Sequence, residues 1–162
     1  MFQTIEDISN YLLKHPSKTY ALRNTNTIDR IVVHQTDTSD NGKFSAYSVA
    51  NYHVNTNDWA GIGYHYFIVD DGSIFQTNKD EVISYHASGY NTRSVAVAIT
   101  GDHVCNDSSD NYDLISKEKY NALVYTLAKI SNRYNLPSSS IIGHTETGSP
   151  KPCPNLNLDQ LR

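Results

Sequence analysis

The sequence predicts an α/β fold: a single domain with a central mixed β-sheet flanked by helices. Three observations carry this. Short runs rich in β-branched residues, Ile28 to His34 and Val95 to Ile99, have the length and composition of buried strands. Asp71-Gly72 stands between two further apolar runs, a strong hairpin signal that demands an antiparallel pair. Helical periods lie among the strands, one of them between the last two, so helices pack against a mixed sheet.

In chain order, residues 4–14 read as a helix. Ile5, Ile8 and Leu12 share a face, and Thr4 with Asp7 resembles a capping box. His15-Pro16 ends it, because the residue before proline is pushed out of the helical region. Residues 1–25 are therefore expected to be an N-terminal helical extension, with the main domain over 26–162. Asn24-Thr25-Asn26 is loop and Ile28–His34 the first buried strand. Residues 45–55 are predicted helical, capped by Ser45, with Ala46, Val49, Tyr52 and His53 as the inner face. Tyr64–Val69 and Ser73–Thr77 form the hairpin around Asp71-Gly72. Val95–Ile99 is a strand whose alanines leave room for close packing. Residues 117–134 form the longest helix, with Tyr120, Leu123, Val124, Leu127, Ile130 and Tyr134 as its apolar stripe, and Pro137 stops it. Ile141-Ile142 is a short strand that runs straight into His144.

A chain of 162 residues suits one domain with a real core. With 19% charged and 38% hydrophobic residues the composition is that of a folded protein. The net charge of −4, with no run of Lys or Arg, gives no electrostatic footprint for nucleic acid and no polybasic patch for a membrane surface. Neither partner is expected, and a monomer is. The N-terminus carries Glu6 and Asp7 where a signal peptide needs basic residues and then an apolar run, so a cytoplasmic protein is expected. If Cys153 holds a metal, Cys105 is a free thiol, in keeping with a reducing compartment.

The chemistry concentrates in Gly143-His144-Thr145-Glu146-Thr147-Gly148-Ser149-Pro150-Lys151-Pro152-Cys153-Pro154 and, far upstream, His34. Two imidazoles and one thiolate make three protein ligands, the number a catalytic zinc takes when its fourth position stays open. Ser149, Lys151 and Cys153 each precede a proline, which biases them to extended geometry and turns Lys151 and Cys153 toward one side. A zinc there can lower the pKa of water toward ~7 and polarise a carbonyl. Lys151 can stabilise a developing oxyanion, and Tyr64, which opens a strand, can donate to one. Spacing alone leaves the alternative open: a small apolar cysteine and two satisfied core histidines.

Six blocks in order, Ile31-Val32-Val33-His34, Gly61-Ile62-Gly63-Tyr64-His65-Tyr66-Phe67-Ile68, Tyr85-His86-Ala87-Ser88-Gly89-Tyr90-Asn91, Ser94-Val95-Ala96-Val97-Ala98-Ile99-Thr100-Gly101, Gly143-His144 and Lys151-Pro152-Cys153-Pro154, resemble the type-2 N-acetylmuramoyl-L-alanine amidases. The similarity is to their phage-lysozyme branch, relatives of the peptidoglycan recognition proteins, and runs from about residue 28 to the C-terminus. It implies that residues 26–162 are a zinc amidase domain, with its Zn2+ site at the sheet edge. The expected reaction cuts the amide between N-acetylmuramic acid and L-alanine in peptidoglycan, whose glycan strand and stem peptide would be the partner. By the same resemblance His34, His144 and Cys153 match zinc ligands, Tyr64 and Lys151 match catalytic residues, and His86 and Asn91 match a substrate loop. It further implies a phage-type endolysin that waits in the cytoplasm and reaches the wall after the membrane is breached. A non-catalytic recognition module and a muropeptide-recycling amidase are the rivals.

Other candidates read more plainly. His65 should point away from Tyr64 and Tyr66, into the core or behind the site. Glu146 reads as a partner of the ligand turn or a solvated acid, and Asp70-Asp71 as turn chemistry. His15, His53 and His103 have no ligand-like context, and Trp59 either lines a groove or simply packs.

Overall fold

The computed structural model describes residues 3–38, 40–101 and 115–162. Cys105 and His103 lie outside the described residues. The strands are β1 (Ile5–Asp7), β2 (Arg30–Gln35), β3 (Tyr66–Ile68), β4 (Ile74–Gln76), β5 (Ser94–Ile99) and β6 (Ile141–Gly143), and the long helices are α1 (Lys43–Asn55) and α2 (Lys117–Tyr134). They form one six-stranded sheet in the order β1-β4-β3-β5-β2-β6. Among the strands of the described residues only β3 and β4 pair antiparallel, across the Asp71-Gly72 turn; the other pairings are parallel, so the sheet is mixed.

Burial on both faces explains the unbroken apolar runs of the central strands. Ile31, Val33, Val95, Val97, Ile99, Tyr66 and Ile68 turn one way and meet Ala122, Leu123, Leu127 and Ile130 of α2. Phe67, Val69, Phe75 and Ala98 turn the other way and meet Ala46, Val49 and Ala50 of α1. The helix pattern of residues 117–134 is realised over that span: Ser116 caps it by accepting from the Lys119 N–H, and Asn135 ends it in the left-handed conformation.

Three expectations need correction. Residues 4–14 are not a helix: Ile5–Asp7 pairs in parallel with β4, and the Ile8 N–H extends the ladder to Gln76 O. The Asp7 carboxylate accepts from Ser9 N–H and Ser9 Oγ, closing a local turn that ends the strand. Ile8 and Leu12 still bury, now against Phe67 and Phe75. A short isolated helix is marginal, and strand pairing displaces it. Second, α1 starts at Lys43, with Gly42 as its cap residue, and Ser45 lies inside it accepting from the Asn41 N–H. Its inner stripe runs through residues 46, 49, 50 and 53, so Tyr52 falls off it and is 56% exposed. Third, Val124 sits at the outer margin of α2, 41% exposed, while Ala122 and Thr126 take the buried places.

Candidate metal centre and groove

His34 lies in β2, one strand in from the sheet edge, and His144 is the first residue beyond the edge strand β6. The register pairs Val33 with Gly143, so the two histidines occupy adjacent positions at the same end of neighbouring strands. Cys153 arrives on the returning loop. Gly143 permits this approach, since a Cβ there would lie 2.9 Å from Pro154 Cδ. Thr145 clamps the loop to the histidine turn. Its N–H donates to Cys153 O at 2.8 Å, and its Oγ1 lies 2.9 Å from Lys151 O and 3.0 Å from the Cys153 nitrogen. Cys153 N–H also reaches Lys151 O at 2.9 Å, so the segment turns tightly over Pro152 instead of running straight. Lys151 and Cys153 nevertheless line one groove.

One nitrogen of each histidine and the Cys153 sulfur all fall within 4.8 Å of one another. His34 Nδ1 is 3.8 Å from Sγ, and the two imidazole centroids are 4.6 Å apart. Tetrahedral zinc with these ligand types holds nitrogen and sulfur about 3.5 Å apart, so a small inward shift suffices. The donor chemistry fits as well. Burial, and then the neighbouring His144, holds His34 well below the usual imidazole range, while burial and then Lys151 depress His144. Both rings therefore stay neutral and keep a lone pair. Burial pushes the Cys153 thiol up to about 11, opposed by the Gln35 N–H, which points at Sγ from 3.3 Å.

Proton accounting fixes which His34 nitrogen is free. A carbonyl oxygen cannot donate, so Ser94 Oγ gives its proton to Tyr90 O at 2.7 Å and accepts from His86 Nε2–H at 3.1 Å. His86 Nδ1 is then bare and accepts from His34 Nε2–H at 3.0 Å. The remaining lone pair sits on His34 Nδ1, the atom that faces Cys153. Asn91 acts one step further back: its Oδ1 accepts from the His86 and Ala87 N–H groups at 3.0 and 2.8 Å and shapes the loop.

A groove of about 620 Å³ opens over this trio. Tyr64, Lys151 and His86 line it beside the three; Asn91 does not. The Tyr64 ring stands 5.2 Å from His34, and burial raises its phenol above the ordinary value, so it remains protonated. Tyr52 and His53 of α1 and the loop residues Trp59 and Tyr85 also line the groove. His53 accepts from the Gly63 N–H at 3.0 Å, and burial lowers its pKa to about 4. His65 lies in the core, with Nε2 on Val82 O and Nδ1 on the Ala96 N–H. Glu146 accepts from the Gly143 N–H and pairs with Arg162, outside the groove lining. Sequence reasoning missed Gln35, Thr145, Ser94 and the groove position of His53. Their residue types are ordinary, and only their adjacency to motif residues marked Gln35 and Thr145.

Residues 24–155 match the profile of the family described as N-acetylmuramoyl-L-alanine amidase. The chain is 26% identical to peptidoglycan-recognition protein SC2 of Drosophila melanogaster over 112 residues, 68% of this chain and 56% of that protein. It thus spans just over half the length of such curated relatives. It is also 26% identical to the endolysin of Escherichia phage T7, over 80% of this chain and 82% of that one. Among solved structures, the Ph2119 endolysin from a Thermus scotoductus bacteriophage superposes with a TM-score of 0.78 at 22% identity, covering 98% of this chain and 96% of that chain. With that profile spanning most of its length, the chain belongs to the N-acetylmuramoyl-L-alanine amidase family.

Proposed function

We propose that the protein is a zinc-dependent peptidoglycan hydrolase that cleaves the amide between N-acetylmuramic acid and the L-alanine of the stem peptide. The observation that carries this is the convergence of His34, His144 and Cys153 under a single groove that Tyr64 and Lys151 also line. His34 Nδ1, a nitrogen of His144 and Cys153 Sγ would hold the metal. A zinc ion in that place supplies Lewis acidity to a carbonyl oxygen and lowers the pKa of water. The chain's own groups do the rest. Tyr64, kept protonated by burial, donates a hydrogen bond toward the scissile carbonyl oxygen. The Lys151 ammonium, on the clamped loop, offsets negative charge as it grows on that oxygen. His86 orients His34, and Asn91 holds His86. Hydrolysis leaves a lactyl carboxylate on the sugar and a free amine on L-alanine.

The biological reading follows the phage relatives: a monomeric endolysin, cytoplasmic until lysis, acting on the wall of a breached cell. As a test, purified zinc-loaded protein should release free L-alanine amino termini from sacculi, and a chelator should stop it. Robust activity in the metal-free form contradicts the reading. The similarity to recognition proteins motivates a second one, wall binding without cleavage. Tight binding to sacculi with zinc present and no new amine ends over long incubation would favour it. Comparing intact sacculi with soluble muropeptides separates lysis from recycling.

A further inference from the structure

Residues before Asn24 lie outside the stretch matched by the family profile, yet their polar groups reach the loop that carries Trp59. Lys18 Nζ donates to Asp58 O at 2.9 Å and forms an ion pair with the Asp58 carboxylate. His15 Nε2 lies 3.0 Å from Asp58 Oδ1, and the His15 N–H donates to Ala60 O at 3.0 Å. The Tyr20 hydroxyl donates to Gly61 O at 2.7 Å. The loop is thus tied on both sides of Trp59, and Asp58 takes a φ of 59°, a left-handed conformation that Asp tolerates. Tyr20 also meets Tyr85 edge-on at 5.0 Å, and Tyr85 meets Trp59 edge-on at 6.0 Å.

From α1, His53 also supports Trp59: its carbonyl accepts from the Trp59 N–H at 2.9 Å and the two rings lie 4.7 Å apart. A second cavity of about 280 Å³ is lined by His15, Lys18 and Tyr20 together with Leu12, Leu13 and Ala60-Gly61. Gly63, four residues beyond Trp59, packs closely on the Tyr85 backbone: a Cβ there would fall 2.4 Å from Tyr85 O and 3.1 Å from the Trp59 ring. A shift of one loop therefore moves the other. Ties from the N-terminal segment hold both.

We propose that His15, Lys18 and Tyr20 are positioning residues that set the aromatic wall of Trp59 and Tyr85. Through it they set the affinity of the groove for a sugar-peptide substrate, without acting on the metal centre. The wall offers flat apolar faces suited to stacking on the substrate. The substrate part rests on the amidase reading above; the mechanical part does not.

Trp59 is the only tryptophan, so its fluorescence reports the wall alone. The variants are Tyr20→Phe, which keeps the ring, and His15→Ala with Lys18→Ala. Acrylamide quenching of Trp59 in the substrate-free protein should rise about twofold in the double variant and less in Tyr20→Phe. With a soluble N-acetylmuramoyl peptide, KM should rise about three- to tenfold while kcat stays within twofold and zinc content is unchanged. Lys18→Arg, which keeps the cation, should restore both readings toward wild type. Unchanged quenching and KM in all variants overturn the proposal, as does a fall in kcat or zinc content at constant KM. A wild-type protein that neither binds nor cleaves the peptide defeats the amidase reading and the substrate part together, and the quenching result alone then decides whether these residues hold the wall.

Discussion

One part of the groove lining grows out of the sheet, whereas Trp59 and Tyr85 reach it from loops. His34 and His144 stand at the ends of paired strands, and Cys153 is pinned beside them by the Thr145 clamp and the Gln35 N–H. Trp59 and Tyr85 sit on loops and are held by contacts from residues 15–20, by each other and, for Trp59, by His53 of α1, whose carbonyl accepts from the Trp59 N–H at 2.9 Å. Ligand atoms must be held within a few tenths of an ångström, which paired strands provide. Recognition of a long polymer tolerates a looser surface. The contrast predicts that damage to the first part abolishes metal binding and turnover, and damage to the second only weakens substrate binding.

The largest effect should come from Cys153→Ser, which removes the thiolate ligand. Zinc content should fall to background and activity by about a thousandfold or more, measured by metal analysis and amine release. Lys151→Ala sharpens the distinction between holding the metal and using it: zinc is retained while kcat drops about a hundred- to a thousandfold. His86→Ala tests the hydrogen-bond chain behind His34. Its loss frees His34 to take the other tautomer, and zinc affinity by chelator competition should weaken about ten- to a hundredfold.

A separate effect is on stability and reads the burial of two histidines. Burial depresses both His53, in the groove lining, and His65, under the sheet, to about 4. Below the ordinary imidazole value of 6.5 the unfolded chain binds protons that the native fold refuses until about pH 4. Stability is therefore full above 6.5 and declines as pH falls toward 4, by about 1.4 kcal/mol per pH unit for each histidine. Urea unfolding between pH 7 and 4.5 should show this slope, and His53→Gln should reduce it. A flat profile contradicts the assignment.

How far the sequence foretold this structure depends on whether the controlling contacts are local. The bounds of α2 were legible because its signals are adjacent in the chain: an apolar stripe, with Pro137 just after it. The same reasoning misread residues 4–14, where Ile5, Ile8 and Leu12 satisfy a helical stripe and a strand-plus-turn equally well. Pairing with β4 some seventy positions away decides between them. At the site, the ordered motifs singled out His34, His144 and Cys153, which the fold brings within 4.8 Å of one another, and Tyr64 and Lys151, which line the same groove. The His34–His86–Ser94 chain and the N-terminal ties were not, because they join ordinary residue types across long separations.

The most direct test is mass spectrometry of sacculi digested by the protein, run in parallel on preparations of known zinc content. The account predicts fragments with a free lactyl carboxylate on muramic acid and a free L-alanine amine, in an amount that tracks bound zinc and vanishes in Cys153→Ser. Fragments cut elsewhere in the polymer, or the same fragments from protein without zinc, would contradict it.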